Sequence, residues 1–541
     1  MQTKYIVVLG SLMSGLGKGV VTSSILRMLD FYGYKVLPIK FDGYLNYDCG
    51  TMNPYQHGEV FVLDDSSEVD MDFGIYERFL NKDLTGDMSI TGGKLFSAIT
   101  SKERKGDYLG GTVQIIPHLT GEIMGRIEGI AKSKGADVLV IEVGGTVGDL
   151  ENNYFIEAMR QMSLKRDVAF INLTYIPELA AVGEQKTKPA QIGLRLLLQA
   201  GINPDFIVCR TSTKLTDSTK EKLALFGNLE KSAIIDDPDL PTLYSLPLKF
   251  MEQGFDKMLI SKLGLEGRSI DSEKVASWKE RVRRIISPKH DANIAIVGKY
   301  MTLRDSYASV KEAIIHAGSA ADSSVNVSWV ESTGFDDGKG DYSIFTNTDG
   351  IIVTGGFGKR GTEGMINIIR YAREKGIPYL GLCLGMQMMA VEYARHVAGF
   401  VGANSSEFDS NTKHRVISLL DSQKRVTNKG GTMRLGAQEC VLPLKDSIAY
   451  RAYGSQKVSE RHRHRYEFNN SYRDALTKAG LKISGTTADS KLVEFIEWPY
   501  GFGIGTQSHP ELKSRLEAPA PLFVALADAA KEHHLRNDSR R

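Results

Sequence analysis

The stretch YIVVLGSLMSGLGKGVVTSS, Tyr5 to Ser24, decides the fold of the amino-terminal half. A β-branched apolar run ends in a glycine-rich loop, and the loop runs into a helical pattern. Strand, glycines, lysine and helix in that order make a phosphate cradle: backbone N–H groups and the helix N-terminus face the anion, and Lys18 adds a point charge. Gly19 stands where GxxxxGK(S/T) puts the hydroxyl that ligates magnesium, so a metal here needs other ligands. Asp72 in EVDMDFGIYERF and Glu142, at the end of the apolar strand DVLVIE, are the candidates, both hard oxygen donors suited to Mg2+.

Further along, KVLPIKF, DVLVIEVGG, AFINLTY and PDFIVCR alternate with helical patterns, which predicts a parallel sheet covered on both faces. From Gly267 the pattern turns polar, and GRSIDSEKVASWKERVRRIISPKHDA reads as a linker with one amphipathic helix. A second series, NIAIVGKY, VNVSWVES, DGIIVTGG and PYLGLC, begins at Asn293. The fold class is α/β: two doubly wound parallel-sheet domains, residues 1–266 and 293–541, joined by a linker over 267–292. The closing KEHHLRNDSRR reads as a frayed basic tail without function.

Composition narrows the field. At 541 residues the chain is too long for one core. Its 67 basic residues balance 65 acidic ones, so there is no overall footprint for nucleic acid or an anionic membrane. Four cysteines without CxxC spacing disfavour a disulfide framework or a structural zinc, and point to a reducing cytoplasm. No apolar run is long enough to span a membrane, and the amino terminus reads as unprocessed. Two loops look site-lining: KFDGYLNYDCGTMNPYQHGEVF, Lys40 to Phe61, and the basic GEQKTKPAQ with Lys186, Thr187 and Lys188.

The carboxy-terminal half is decided by PYLGLCLGMQMMAVEYA, Pro378 to Ala394. A buried strand meets a helix at Cys383, a sharp turn that exposes the thiol at a helix N-terminus and favours thiolate. GFGIGTQSHPE supplies His509 and Glu511 at i and i+2, on one side of an extended segment, so that the carboxylate holds the imidazole. GGFGKRG offers the Gly356 N–H to join that of Leu384 in an oxyanion hole.

With GLCLGMQ, SHPE and GGFGKRG, and in order along the chain SGLGKG, GTMNPYQHGEVFV, DFGIYERF, RKGDYLGGTVQIIPH, IEVGGTVGDLE, KTKPAQ, GGTMRLGAQ and RHRHRYE, the chain resembles the CTP synthase family, class I glutamine amidotransferases, along essentially its whole length. The resemblance implies an enzyme making CTP from UTP, ATP and glutamine through a 4-phosphorylated UTP. It implies that Ser14 contacts the pyrimidine nucleotide, that Gly15, Leu16, Gly17, Lys18, Gly19 and Val20 wrap ATP phosphates, and that Asp72 and Glu142 hold Mg2+, with Asp72 also near ATP and Lys40 near the transferred phosphoryl group. Asp149, Leu150, Glu151, Lys186, Thr187, Lys188, Pro189, Ala190, Gln191 and Lys222 are implied to bind UTP or the inhibitory product CTP. Glutamine falls to Gly356, Leu384, Gly385, Met386, Gln387, Glu407 and Arg465, and the GTP activator to Arg360, Gly361 and Glu363. An internal ammonia channel and a homotetramer are implied as well. Phe41, Gly43, Cys49 and Ser508 depart from the family's usual residues without removing a catalytic group. The competing readings are an ATP-dependent amidoligase for another acid, which gives no reason for KTKPAQ, and a partitioning-type ATPase, which would carry an earlier lysine in the glycine loop.

Overall fold

Glu142 sits in a strand flanked by two others in parallel register, opposite Val8 on one side and Lys40 on the other, and this pairing organises the first half. In the computed structural model, which describes residues 2–179, 183–301, 303–423 and 430–538, the chain groups into two compact units. The first comprises Met1–Cys49 and Ile75–Val282; the second comprises Gly50–Gly74 and Arg283–Arg541.

The first unit holds a seven-stranded sheet in the order Ile234–Pro238, Phe206–Thr211, Val168–Tyr175, Lys4–Gly10, Val138–Val143, Val36–Asp42, Ser89–Thr91, every pair parallel. Chain order reverses on either side of Lys4–Gly10, so the glycine loop leaves the carboxyl end of the strand at the topological switch point, where such sheets bind ligands. The strands are buried on both faces, as their near-continuous apolar runs require. The polar segment after Gly267 contains the helix Ser272–Ile286, whose Trp278 is buried against Phe31, Phe79 and Tyr244 and donates its indole N–H to the Tyr244 carbonyl at 2.8 Å.

The second unit holds a nine-stranded sheet. Ser323–Glu331, His290–Gly298, Gly350–Val353, Tyr379–Leu382 and Gly503–Thr506 are parallel; Val493–Glu497, Lys482–Thr487, Arg434–Val441 and Lys457–His464 continue it antiparallel. The helix Leu384–His396 is buried from Leu384 through Ala394, and each of its apolar side chains contributes roughly 1.5–3 kcal/mol by leaving water. This explains why the run after Cys383 is apolar on all sides rather than striped.

The expectation of a frayed tail is corrected. Helix Pro521–Asp538 runs through KEHHLRND, and His533 and His534 both bond the buried Asp349 carboxylate through Nδ1, at 3.3 and 2.9 Å. A partner 184 residues away in sequence orders what local composition suggests is loose. Among the described residues no helix is long and apolar enough to cross a membrane, and all four cysteines are free.

Candidate active site

In the first unit, Gly17 caps the helix Lys18–Phe31 at φ 92°, and Gly15 also has positive φ, conformations that a side chain would resist. Lys18 folds back over the loop and donates to the Gly145 carbonyl at 2.6 Å, tying the glycine loop to IEVGGTVGDLE. In that second loop the Asp149 carboxylate accepts the Thr146 N–H at 2.6 Å, while Leu150 and Glu151 are exposed. Ser14 is exposed on the glycine loop. Gly43, one of the departures from the family pattern, has a physical reason: a Cβ there would fall 2.5 Å from Asn152 Oδ1 and 2.9 Å from the Glu151 carbonyl.

Lys40 and Glu142 form a buried ion pair at 3.0 Å, and Tyr76 donates to the other Glu142 oxygen at 2.5 Å. A carboxylate at the strand end beside the glycine loop is the donor chemistry a magnesium ion takes. Asp72 opens the helix Asp72–Leu80, and its N–H donates to Asp70 Oδ1 at 2.9 Å. In the basic loop Lys186 pairs with Glu184 at 2.6 Å, Thr187 precedes the helix Lys188–Gln199 and accepts from Gln191 Nε2 at 2.9 Å, and Lys188 and Lys222 are exposed. Pro189 stands in the first helical turn and Ala190 is fully buried.

In the second unit, Cys383 occupies φ 50°, ψ −99°, a strained backbone for a residue with a Cβ, at the junction of Tyr379–Leu382 and Leu384–His396. The flanking glycines are there because nothing larger fits: a Cβ on Gly385 would lie 2.1 Å from the Val353 carbonyl oxygen, and one on Gly381 would lie 2.7 Å from the Gly385 carbonyl carbon. His509 Nδ1 bonds Glu511 Oε1 at 2.7 Å, and the imidazole lines the same cavity as Cys383. Burial by itself would lower the imidazole; the Glu511 carboxylate and the Cys383 sulfur more than offset it and hold His509 well above its ordinary range. A Cβ on Gly355 would strike His509 Cε1 at 2.9 Å, so the glycine keeps the triad's edge open.

Cys383, His509, Glu511, Gly355, Gly356 and Phe357 line one cavity with Tyr300, Tyr307 and Arg463; Pro54, Glu59 and Val60 complete its wall. The 50–74 segment is held in this unit by ion pairs Asp64–Arg461 (2.5 Å) and Glu68–Arg463 (2.8 Å), and by Glu59 accepting from the Ser309 N–H and hydroxyl. Sequence reading marks GTMNPYQHGEV as polar and glycine-rich but gives no sign that it walls the cysteine's cavity, because that packing spans more than 240 residues.

The remaining sequence candidates of this unit are not among the residues that line this cavity. Glu407 accepts the Gly358 N–H at 2.8 Å, and burial raises its carboxyl. Arg465 donates to Gln423 Oε1 and, at 3.2 Å, to Thr432 Oγ1. Arg360 donates to the Tyr55 hydroxyl and the Lys299 carbonyl. Gly361, at φ 72°, caps the helix Thr362–Lys375, and Glu363 pairs with Arg395 at 2.6 Å. Leu384 and Met386 are buried, and both amide hydrogens of Gln387 are engaged, by the Tyr466 carbonyl (2.9 Å) and by Gln507 Oε1 (3.1 Å). Gln507, which sequence reading passes over, turns its own Nε2 to the Cys383 sulfur at 3.5 Å. Elsewhere in this unit Cys440, His462 and Glu494 gather with metal-ligand spacing, but Arg434 already bonds Glu494 at 2.6 Å and supplies the positive charge.

Comparison with known proteins gives the family. The family model described as CTP synthase N-terminus matches residues 4–265, and that described as glutamine amidotransferase class-I matches residues 302–529. A CTP synthase of Caldanaerobacter subterraneus subsp. tengcongensis is 48% identical over 524 residues, covering 96% of this chain and 97% of the relative. One from Methanocaldococcus jannaschii is 46% identical over 536 residues, covering 97% and 98%. Among solved structures, the glutaminase domain of the Trypanosoma brucei enzyme with bound acivicin is 37% identical, covers 44% of this chain and 94% of that one, and superposes with a TM-score of 0.42.

Proposed function

The chain belongs to the CTP synthase family, and from that premise we propose that it aminates UTP to CTP by a phosphorylated intermediate, with ammonia released from glutamine at Cys383. The observation that carries the reading is the strained Cys383 elbow beside the His509–Glu511 pair, in the same chain as a glycine loop at a sheet's switch point.

In the glutaminase half, the Cys383 thiolate attacks the glutamine amide carbon. The charge moves to the carbonyl oxygen, which the Gly356 and Leu384 N–H groups stabilise. His509, oriented by Glu511 at Nδ1, gives the proton on its other ring nitrogen to the departing ammonia, and that nitrogen then takes a proton from the water that hydrolyses the γ-glutamyl thioester. Glu407 and Arg465 meet the amino and carboxylate ends of glutamine, and Gly385, Met386 and Gln387 shape its pocket. In the amidoligase half, the loop Gly15–Val20 cradles the ATP phosphates and Lys18 and Lys40 offset their charge, while the γ-phosphoryl group passes to the 4-oxo oxygen of UTP. Ammonia then attacks that carbon and phosphate leaves. Asp72 and Glu142 are the residues that would hold Mg2+, whose chemistry when bound is to neutralise phosphate charge. Ser14, the Asp149–Glu151 loop, the Lys186–Gln191 loop and Lys222 take UTP or the inhibitor CTP; GTP acts near Arg360, Gly361 and Glu363. The working assembly is a cytoplasmic homotetramer with an internal ammonia path.

The test is a single absorbance assay. UTP, ATP and Mg2+ should yield CTP with either glutamine or ammonia as nitrogen source; ATP turnover that ignores UTP would overturn the reading in favour of another amidoligase.

A further inference from the structure

We infer that Gln507 is a catalytic residue of the glutaminase site: its side-chain N–H donates to the Cys383 sulfur and stabilises the thiolate, and Gln387 is the positioning residue that fixes which end of the amide faces it. The inference rests on the reading of Cys383 as the nucleophile.

The orientation follows from acceptor logic. A backbone carbonyl only accepts, so the group that meets the Tyr466 carbonyl at 2.9 Å must be the nitrogen of Gln387. The second hydrogen on that nitrogen points to Gln507 at 3.1 Å, which therefore presents its oxygen there. One end of Gln507 being fixed, the other is its nitrogen, 3.5 Å from Cys383 Sγ. Reversing Gln507 would set two N–H groups against each other and leave an oxygen facing the sulfur. Both amides are removed from water, Gln387 at 3% exposure and Gln507 at 0%, so water does not compete for these contacts.

The backbone holds the relay in place. Gln507 N–H donates to the Glu494 carbonyl at 2.9 Å, Cys383 N–H donates to the Thr506 carbonyl at 2.7 Å, and Gln387 N–H bonds the Cys383 carbonyl at 3.1 Å. The sulfur meets the Arg463 carbonyl at 4.0 Å, a weak acceptor for the thiol, and Gln507 as a neutral donor, and it shares its cavity with His509, the charged partner that takes its proton in the proposed reaction, and with Arg463 and Glu511. A donor from a neutral side chain favours the anionic sulfur without adding a second positive charge beside the imidazolium.

The experiment is alkylation of the full chain by iodoacetamide without glutamine, from about pH 5 to 10, following the Cys383 peptide by mass. Gln507→Leu removes the donor, and Gln507→Glu keeps its shape but sets an acceptor against the sulfur. Each should move the pH midpoint of alkylation upward by about one unit, a roughly tenfold slower reaction on the acid side. The high-pH plateau should hold or rise, because a more basic thiolate is the better nucleophile. Gln387→Leu, which leaves the donor free to turn, should move the midpoint in the same direction by less. Ammonia-dependent CTP synthesis reports folding; should both Gln507 variants lose it, the Gln387→Leu midpoint decides. An unmoved midpoint, with or without a lower plateau, overturns the role of Gln507. If Cys383 of the parent is not alkylated at all, the nucleophile reading falls and this inference with it.

Discussion

The glycine-loop site and the cysteine site differ in how their charged groups are held. In the first, Lys18 rests on the Gly145 carbonyl, Lys40 on Glu142, and Asp149 on the Thr146 N–H; the cationic groups are stored against acceptors of the protein itself. In the second, the Cys383 backbone is already strained and His509 is already locked to Glu511 at 2.7 Å. A site for polyphosphate must exchange internal partners for ligand oxygens, since bare lysines in a cleft would repel one another and resist burial. A site that makes a covalent bond has to hold its attack geometry beforehand.

The largest break in that comparison is Lys18→Ala. Removing the cation that meets the phosphates should abolish CTP formation from glutamine and from ammonia alike, while glutamine cleavage partly survives in the other half. Full CTP synthesis by the folded variant would refute the phosphate role. Cys383→Ala breaks the other side: glutamine hydrolysis and glutamine-dependent synthesis should vanish, with ammonia-dependent synthesis near the parent rate. Retained glutaminase activity would falsify the nucleophile assignment.

Two smaller changes sharpen the contrast. Glu511→Gln leaves an amide that still bonds His509 but removes the charge that raises it, and glutamine-dependent kcat should fall about a hundredfold with ammonia use unaffected. Equal losses on both nitrogen sources would show damage to the fold instead. Glu142→Gln keeps an acceptor for Lys40 while weakening a hard-cation ligand, so the Mg2+ concentration for half-maximal rate should rise about tenfold. A magnesium titration unchanged from the parent would put the metal elsewhere.

The sites were legible in proportion to how local their logic is. SGLGKG and GLCLGMQ combine strand, turn and helix within twenty residues, and the glycine loop before Lys18–Phe31 and the elbow at Cys383 follow from them. The antiparallel strands beside Gly503–Thr506 in the sheet were not read: Arg461, His462 and His464 of RHRHRYE are buried, and the partners of the first two, Asp64 for Arg461 and Glu494 for His462, arrive from other segments. Gln507 was missed for the same reason. Beside HPE it is one more polar residue, and its partner at the sulfur lies 124 positions away. Ser508, where the family pattern has an aromatic, is buried and bonds Thr506 Oγ1 at 2.6 Å, so a hydrogen bond takes over support that an apolar ring would give.

The smallest effect concerns stability of the cysteine half alone. Burial by itself would raise the Asp349 carboxyl, but His533, the Asn293 N–H and His534 together hold it below the usual carboxylate range. A depressed folded value means that the stabilisation is fully present above the unfolded value, about 3.9, and is lost as pH falls through the lower folded one. Asp349→Asn should therefore cost on the order of 1 kcal/mol at neutral pH, since an amide still accepts from Asn293 but is a weaker acceptor than a carboxylate for the two histidines. The variant should also lose stability less steeply than the parent in acid, below about pH 4, because the carboxylate that must be protonated there is gone. Urea unfolding at neutral and acid pH, followed by the fluorescence of Trp329 and Trp498 in this half against Trp278 in the other, measures both. The two transitions should separate further in the variant at neutral pH. A parallel shift of all three signals, or an acid limb as steep as the parent's, would mean that the two histidines lie against Asp349 without stabilising the half that contains them.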